Sequence, residues 1–168
     1  MASKIFWQFE GPKVKGSSLM KGHEGMHEVV TYSHSWEQPT NPVTDSKSDP
    51  AVAHHGTFNM TMELDESLVP MLGLLWTGKH IDKGTLTCSR VVGDKPDSIS
   101  TVPYLKVELE AVVITHLDVS GGPGESQPVN LALSYAKCTY TYQASDQSKT
   151  APAAGSPKSH DLRTNVVA

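Results

Sequence analysis

Residues 57–78 read Thr-Phe-Asn-Met-Thr-Met-Glu-Leu-Asp-Glu-Ser-Leu-Val-Pro-Met-Leu-Gly-Leu-Leu-Trp-Thr-Gly. The first eight alternate, with Phe58, Met60, Met62 and Leu64 apolar and Thr57, Asn59, Thr61 and Glu63 polar. Period two is the signature of a strand with one buried face. The alternation stops at Asp65-Glu66-Ser67, where two acids and a serine suit the positive end of a helix. Leu68, Met71, Leu72, Leu74, Leu75 and Trp76 follow. Pro70 falls in the first turn, where no intrahelical N–H is lost, and Gly78 is a natural stop. A helix of about ten residues is stable only when packed. Strand followed by a short helix at 67–77 therefore predicts a β-structure with one helix against its side.

The neighbouring segments keep the same period. Lys4 to Glu10 reads as a first strand, and Met26 to Gln38 as a second. The second places Val30, Tyr32 and Trp36 on an apolar face and Thr31, Ser33 and Ser35 on a small polar one. Thr85 to Val92 alternates less strictly. Tyr104 to Val113 sets Leu105, Val107, Leu109, Ala111 and Val113 against Lys106, Glu108 and Glu110. From Val129 to Gln143 the apolar positions are first odd (Val129, Leu131, Leu133, Tyr135) and then even (Ala136, Cys138, Tyr140, Tyr142). A one-residue phase change is what a β-bulge produces, and bulges bend strands into barrels. Pro39 to His55 has no period and is longer than most connections. Gln147 to Ser159 has the composition of a spacer, and Asp161 to Ala168 could add a last short strand. The fold class expected is mainly β: an antiparallel two-sheet barrel or sandwich with one lateral helix.

With 168 residues the chain is sized for one domain, 1–168, and needs no staples. Lys and Arg number 14 against 18 Asp and Glu, a formal charge of −4. That argues against nucleic acid, which requires a basic stripe. No apolar run of about 18 residues is present, so membrane insertion by a helix is not expected. Ile5-Phe6-Trp7 is too short for a signal-peptide core. The expectation is a cytoplasmic start and, if the chain leaves the cell, a route that cleaves no signal. Cys88 and Cys138 each sit in alternating runs and read as buried free thiols.

Several stretches resemble chemistry without its context. His23-Glu24-Gly25-Met26-His27 matches the HExxH zinc pattern. That pattern works on a helix, where both histidines share a face. Here glycines interrupt it and strand alternation begins at once, and residues four apart in a strand lie about 13 Å apart. The eight histidines are scattered apart from His54-His55, and read as surface residues. Gly121-Gly122-Pro123-Gly124 lacks the lysine and following helix of a phosphate loop and reads as a turn. No serine elbow and no carboxylate dyad stands out. No catalytic, cofactor or metal residue is assigned.

Taken in order, these segments resemble the Hcp (haemolysin-coregulated protein) family of the type VI secretion system. The resemblance runs through Gly16-Ser17-Ser18, Gly22-His23-Glu24-Gly25, Glu28-Val29 and Tyr32-Ser33-His34-Ser35-Trp36. It continues at Met62 to Ser67, Gly78-Lys79-His80, Tyr104 to Glu110 and Gly121-Gly122, and then at Glu125, Val129-Asn130-Leu131, Tyr140-Thr141-Tyr142 and Leu162 to Asn165. The chain departs from the family at His27, usually apolar, and at Val69, often proline. The resemblance implies a non-enzymatic tube subunit that forms six-membered rings stacking into a tube. Its partners would be itself, a spike protein, a contractile sheath and small effectors carried in the lumen. It also places Ser33, and with it the Thr31, Ser33 and Ser35 face, toward that lumen. Two other readings are a lectin-like β-sandwich binding module and a zinc hydrolase using His23, Glu24 and His27.

Overall fold

The computed structural model describes residues 3–39, 52–92, 100–143 and 155–168. Its strands are β1 (Ser3–Glu10), β2 (His27–Ser33), β3 (Trp36–Glu37), β4 (His54–His55), β5 (Phe58–Glu63), β6 (Ile81–Val92), β7 (Ser100–Val119), β8 (Pro128–Ser134), β9 (Lys137–Tyr142), β10 (Pro157–Asp161) and β11 (Val166–Val167). The helix α1 spans Leu68–Thr77. Pairing runs β11-β10-β9-β7-β6-β1-β2-β5-β8, and β8 returns to β7. The circuit β7-β6-β1-β2-β5-β8 is a closed antiparallel barrel. It leaves β9, β10 and β11 as an extension, while β3 and β4 pair separately as a small arm.

Closure depends on β7, which belongs to two sheets. Its first half pairs with β6 and β9, and its second half pairs with β8. Between them Ala111 takes φ 52, a left-handed conformation that costs a residue with a Cβ. This moves the buried positions from Val107 and Leu109 to Val112 and Ile114. The expected strand face that joined Ala111 and Val113 to Leu109 is thereby corrected: the phase flips at Ala111.

One other phase reading is corrected by local geometry, and one holds. A bulge between Val29 and Thr31 leaves Val30 57% exposed, while Val29 is buried and Tyr32 faces the core. Val30 therefore does not share a face with Tyr32, and the strand ends at Ser33 before restarting at Trp36. The segment 129–143 changes phase as expected, from Val129, Leu131 and Leu133 to Cys138, and β8 and β9 follow one another along β7 in the same direction. Between them, at Tyr135-Ala136, Ala136 N–H donates to Glu110 O at 2.9 Å. Leu64 lies past β5 and is 39% exposed.

Trp7, Phe9, Phe58, Met60, Leu86, Leu109 and Leu133 fill the interior of the barrel. Gly84 makes room for this packing, because a Cβ there would collide with the Trp7 indole. The helix buries Met71 and Leu74 and packs against β7. Ser67 does not cap it with its side chain; its hydroxyl and N–H instead both donate to Asp65 Oδ1. Gly78 closes the far end at φ 60, with Gly78 N–H to Leu75 O and Lys79 N–H to Leu74 O. Both cysteines are buried and free. Residues 39 and 52–55 flank a stretch of the unpatterned 39–55 loop that lies outside the described residues, but His54 and His55 form β4. Of the proposed spacer 147–159, residues 147–154 lie outside the described residues, whereas Pro157 to Ser159 are in β10. The glycine run at 121–124 is the β7–β8 turn.

Candidate functional site

Two outer faces of the barrel differ in chemistry. The face of β2, β5, β8 and the second half of β7 presents Thr31, Ser33, Asn59, Thr61, Asn130 and Asp118 in paired register. Thr61 Oγ1 donates to Asn130 Oδ1 at 2.7 Å, and Asn130 Nδ2 donates to Asp118 Oδ2 at 3.3 Å. Thr57 Oγ1 donates to Asn59 Oδ1 at 3.2 Å. Thr31 and Ser33 border a depression of about 170 Å³ floored by Asn59, Thr61 and Asn130, with His116 and Ala132 on its far side. Among the described residues of these strands, no lysine or arginine points outward here. Ser35 is not part of this depression. It follows β2, exposed, and its carbonyl accepts the Gly56 N–H at 2.9 Å.

The opposite face is charged. Glu10 pairs with Lys83, Lys83 with Glu110, Glu110 with Lys137, and Lys137 with Asp161. Signs alternate across five strands. Lys83 and Lys106 both reach Glu108 Oε1, at 2.5 and 3.2 Å, and Lys137 reaches Glu110 at 3.7 Å. Burial pushes the Glu108 carboxyl up, but the two lysines outweigh it and hold it below the usual range.

The HExxH residues are separated into different tasks. His23 stacks on Phe6 at 4.1 Å and meets Thr101 Oγ1 at 3.3 Å. Glu24 Oε2 accepts the Gly22 N–H at 2.9 Å. His27 is buried at the start of β2, with Nε2 donating to Val14 O at 3.1 Å. Its Nδ1 lies 4.0 Å from Asp65 Oδ2, yet burial lowers its pKa more than that carboxylate raises it. The ring is thus a neutral donor and not half of an ion pair. The segment is a turn, with Gly25 at φ 72.

The reading of the histidines as surface residues holds for His54, His80 and His116, which are exposed, and is corrected for the others. His27 is buried, and His34, His55 and His160 are half-buried in one hydrogen-bonded cluster with Tyr135, Tyr140 and Asn165. Trp36 stands over it, its ring centroid 4.3 Å from that of His34 and 5.1 Å from that of Tyr140. Members of this cluster lie up to about a hundred positions apart in the chain, so no local pattern reveals them. The only local hint is the run of aromatic and imidazole residues at Tyr32, His34 and Trp36.

A family model described as "Type VI secretion system effector, Hcp" matches residues 6–142. The chain belongs to the Hcp family. Solved Hcp structures share the fold along nearly the whole length. Hcp1 from Salmonella typhimurium superposes with a TM-score of 0.76 at 18% identity, covering 100% of both chains. A protein described only as a type six secretion system protein reaches 0.86 at 18% identity, covering 99% of this chain and all of its own. Hcp1 from E. coli EAEC 042, as a double mutant, gives 0.73 at 21% identity over 96% of this chain and 99% of that one. A search of curated protein sequences finds no match. This Hcp protein is thereby a type VI secretion system component. No helix among its described residues is long and apolar enough to cross a membrane.

Proposed function

We propose that residues 1–168 act as one domain, a structural subunit of the type VI inner tube, without catalytic function. Six copies close into a ring, rings stack into a tube, and the face bearing Thr31 and Ser33 lines the lumen, with Ser35 at its margin. The observation that carries this reading is that face itself. It is rich in hydroxyls and amides, its Thr61, Asn130 and Asp118 are hydrogen-bonded to one another, and it is free of lysine and arginine among the described residues, with exposed His116 and Glu63 beside them. A surface whose polar groups are already paired holds passing protein weakly, which suits a conduit more than a binding pocket. Small effectors would travel in the lumen, a spike protein would cap the tube, and a contractile sheath would surround it. The tube would assemble in the cytoplasm and be expelled with no signal cleaved.

The stretch 39–55 would make contacts between stacked rings. Electron microscopy and native mass spectrometry of the purified chain test the assembly. Closed six-membered rings are expected. A particle that stays monomeric at high concentration would refute the proposal.

A further inference from the structure

Outside both faces, one feature is unused by the tube reading. Six side chains from the β2–β3 link, β4, the β8–β9 corner, β9, β10 and the turn before β11 form a single hydrogen-bonded series. Tyr140 Oη meets His34 Nδ1 at 2.7 Å, and His34 Nε2 meets Tyr135 Oη at 2.5 Å. Tyr135 Oη then meets His55 Nδ1 at 2.8 Å, His55 Nε2 meets His160 Nδ1 at 2.8 Å, and His160 Nε2 meets Asn165 Oδ1 at 2.9 Å.

The proton positions follow from one end. Asn165 Oδ1 can only accept, so His160 Nε2 carries hydrogen. Neutral His160 then presents a bare Nδ1, which takes the His55 Nε2–H. His55 Nδ1 is therefore bare and takes the Tyr135 hydroxyl hydrogen. The Tyr135 oxygen takes the His34 Nε2–H, and His34 Nδ1 takes the Tyr140 hydroxyl hydrogen. Five links hold five hydrogens, and every donor meets an acceptor when all three imidazoles are neutral.

One added proton fits if the Tyr140 hydroxyl hydrogen turns away, because the remaining hydrogens can shift along the series. A second, on His55 Nδ1, also turns the Tyr135 hydroxyl hydrogen out of the series and sets two cations on it, and a further one on His160 Nδ1 would face the His55 Nε2–H, because the imidazole-to-imidazole link has no hydroxyl to rotate. Among the described residues the Gly56 backbone favours a charged His34, but it is outweighed by burial and by His55. The adjoining groove, about 510 Å³, is lined by Lys158 on β10 and the Cys138 thiol on β9, with no carboxylate among its described residues. Tyr32 and Cys88 lie behind Tyr140. Asp161, next to His160, is engaged by Arg163 at 3.2 Å, and Glu37 on β3 is exposed. Burial first, and then His55, push His34 down to about 4, and burial and His160 lower His55.

The β3–β4 arm depends on these links. It has two paired positions, Trp36 with His55 and Glu37 with His54, and a Gly56 N–H to Ser35 O bond at its base. The C-terminal hairpin has five register positions against β9 and is held better. We propose that the His34–Tyr135–His55–His160 series is an acid-sensitive clasp, which fixes the β3–β4 arm to the barrel at neutral pH and frees it as its imidazoles protonate and the links reverse or break.

Hydrogen exchange of the full-length protein, expressed as protection factors corrected for intrinsic rate, tests this at about pH 7.5 and about pH 4. Protection at 34–38 and 52–57 is expected to fall at least about tenfold on acidification, while β6 and β7 change by less than about threefold. His160→Leu, which can neither accept from His55 nor donate to Asn165, should leave the arm at its acid-level protection at both pH values, removing the step. Asn165→Leu, which deletes the terminal acceptor, should lower the arm's neutral-pH protection to a smaller degree. A parent chain with no step, a step spread equally over all strands, or a His160→Leu chain that keeps either the neutral protection or the step overturns the clasp.

Discussion

Across β1, β6, the first half of β7, β9 and β10, the row Glu10, Lys83, Glu110, Lys137, Asp161 alternates in sign. Across β2, β5, β8 and the second half of β7, the corresponding outward positions hold Thr31, Ser33, Asn59, Thr61 and Asn130, with Asp118 tied into an amide. One strand, β7, contributes to both. The contrast fits the proposed tube, in which one barrel would meet two surroundings. Charges alternating in register neutralise each other locally and discourage unwanted sheet pairing. Short hydroxyl and amide groups leave a surface with little field and little bulk. The boundary between the two is Ala111, where β7 changes phase.

The strongest way to break the comparison is therefore at Ala111. A β-branched side chain tolerates the left-handed region poorly, so Ala111→Val should lose about 1–3 kcal/mol in urea unfolding. Ala111→Gly relieves the Cβ cost and should be neutral or gain up to about 1 kcal/mol. Equal losses from both would mean that the conformation of residue 111 is not what joins the two sheets.

Next in size is the charged face. Glu108→Lys would set three cations together in place of the Lys83–Glu108–Lys106 bridge, and should cost about 1 kcal/mol, less in high salt. The parent chain makes a matching pH prediction. The Glu108 carboxyl is held below its usual range when folded, so its contribution is complete above the unfolded value near 4.5. It is lost as pH falls through the lower folded value. Glu108→Gln should flatten that part of the acid limb. His27 acts in a higher window, because its folded pKa is lowered from 6.5 by burial. Stability that depends on it is full above about 6.5 and declines as pH falls below that toward the folded value. His27→Leu should flatten this upper part of the curve.

On the hydroxyl- and amide-rich face the stability effects should be smaller still. Ser33→Gln should change unfolding free energy by less than about 0.5 kcal/mol, because the site is exposed. It should nonetheless reduce retention of co-purifying effector while rings still form. Smallest of all is Glu24→Gln, outside both faces, whose expected effect on assembly is nil. Zinc-dependent proteolysis abolished by that change would overturn the structural reading.

The architecture was largely legible because strands with one wet face write it in period two. β1, β5 and the helix after β5 follow their residues almost to the boundary. Failures occurred where a single residue leaves the pleat. Val30 is extruded by a bulge, and Ala111 reverses the phase of β7. Neither has a glycine or proline to signal it. Ser67 looked like a helix cap, yet Asp65 captures its hydroxyl and N–H. Of the polar face, Thr31 and Ser33 were legible from alternation, whereas Ser35 was misled by the strand ending at Ser33. The histidine clasp was hidden because it links residues that only the closed barrel brings together.

The central claim concerns which face of the barrel is enclosed. A single thiol introduced by Ser33→Cys, with Cys88 and Cys138 remaining buried, allows a direct measurement in assembled tubes. Labelling is followed with a small maleimide and with one carrying a large polymer. The expected result is rapid reaction with the small reagent and strong protection from the large one, with protection lost when the tubes are dissociated. Equal reaction with both reagents in intact tubes would place Ser33 on the outer wall and contradict the assignment of this face to the lumen.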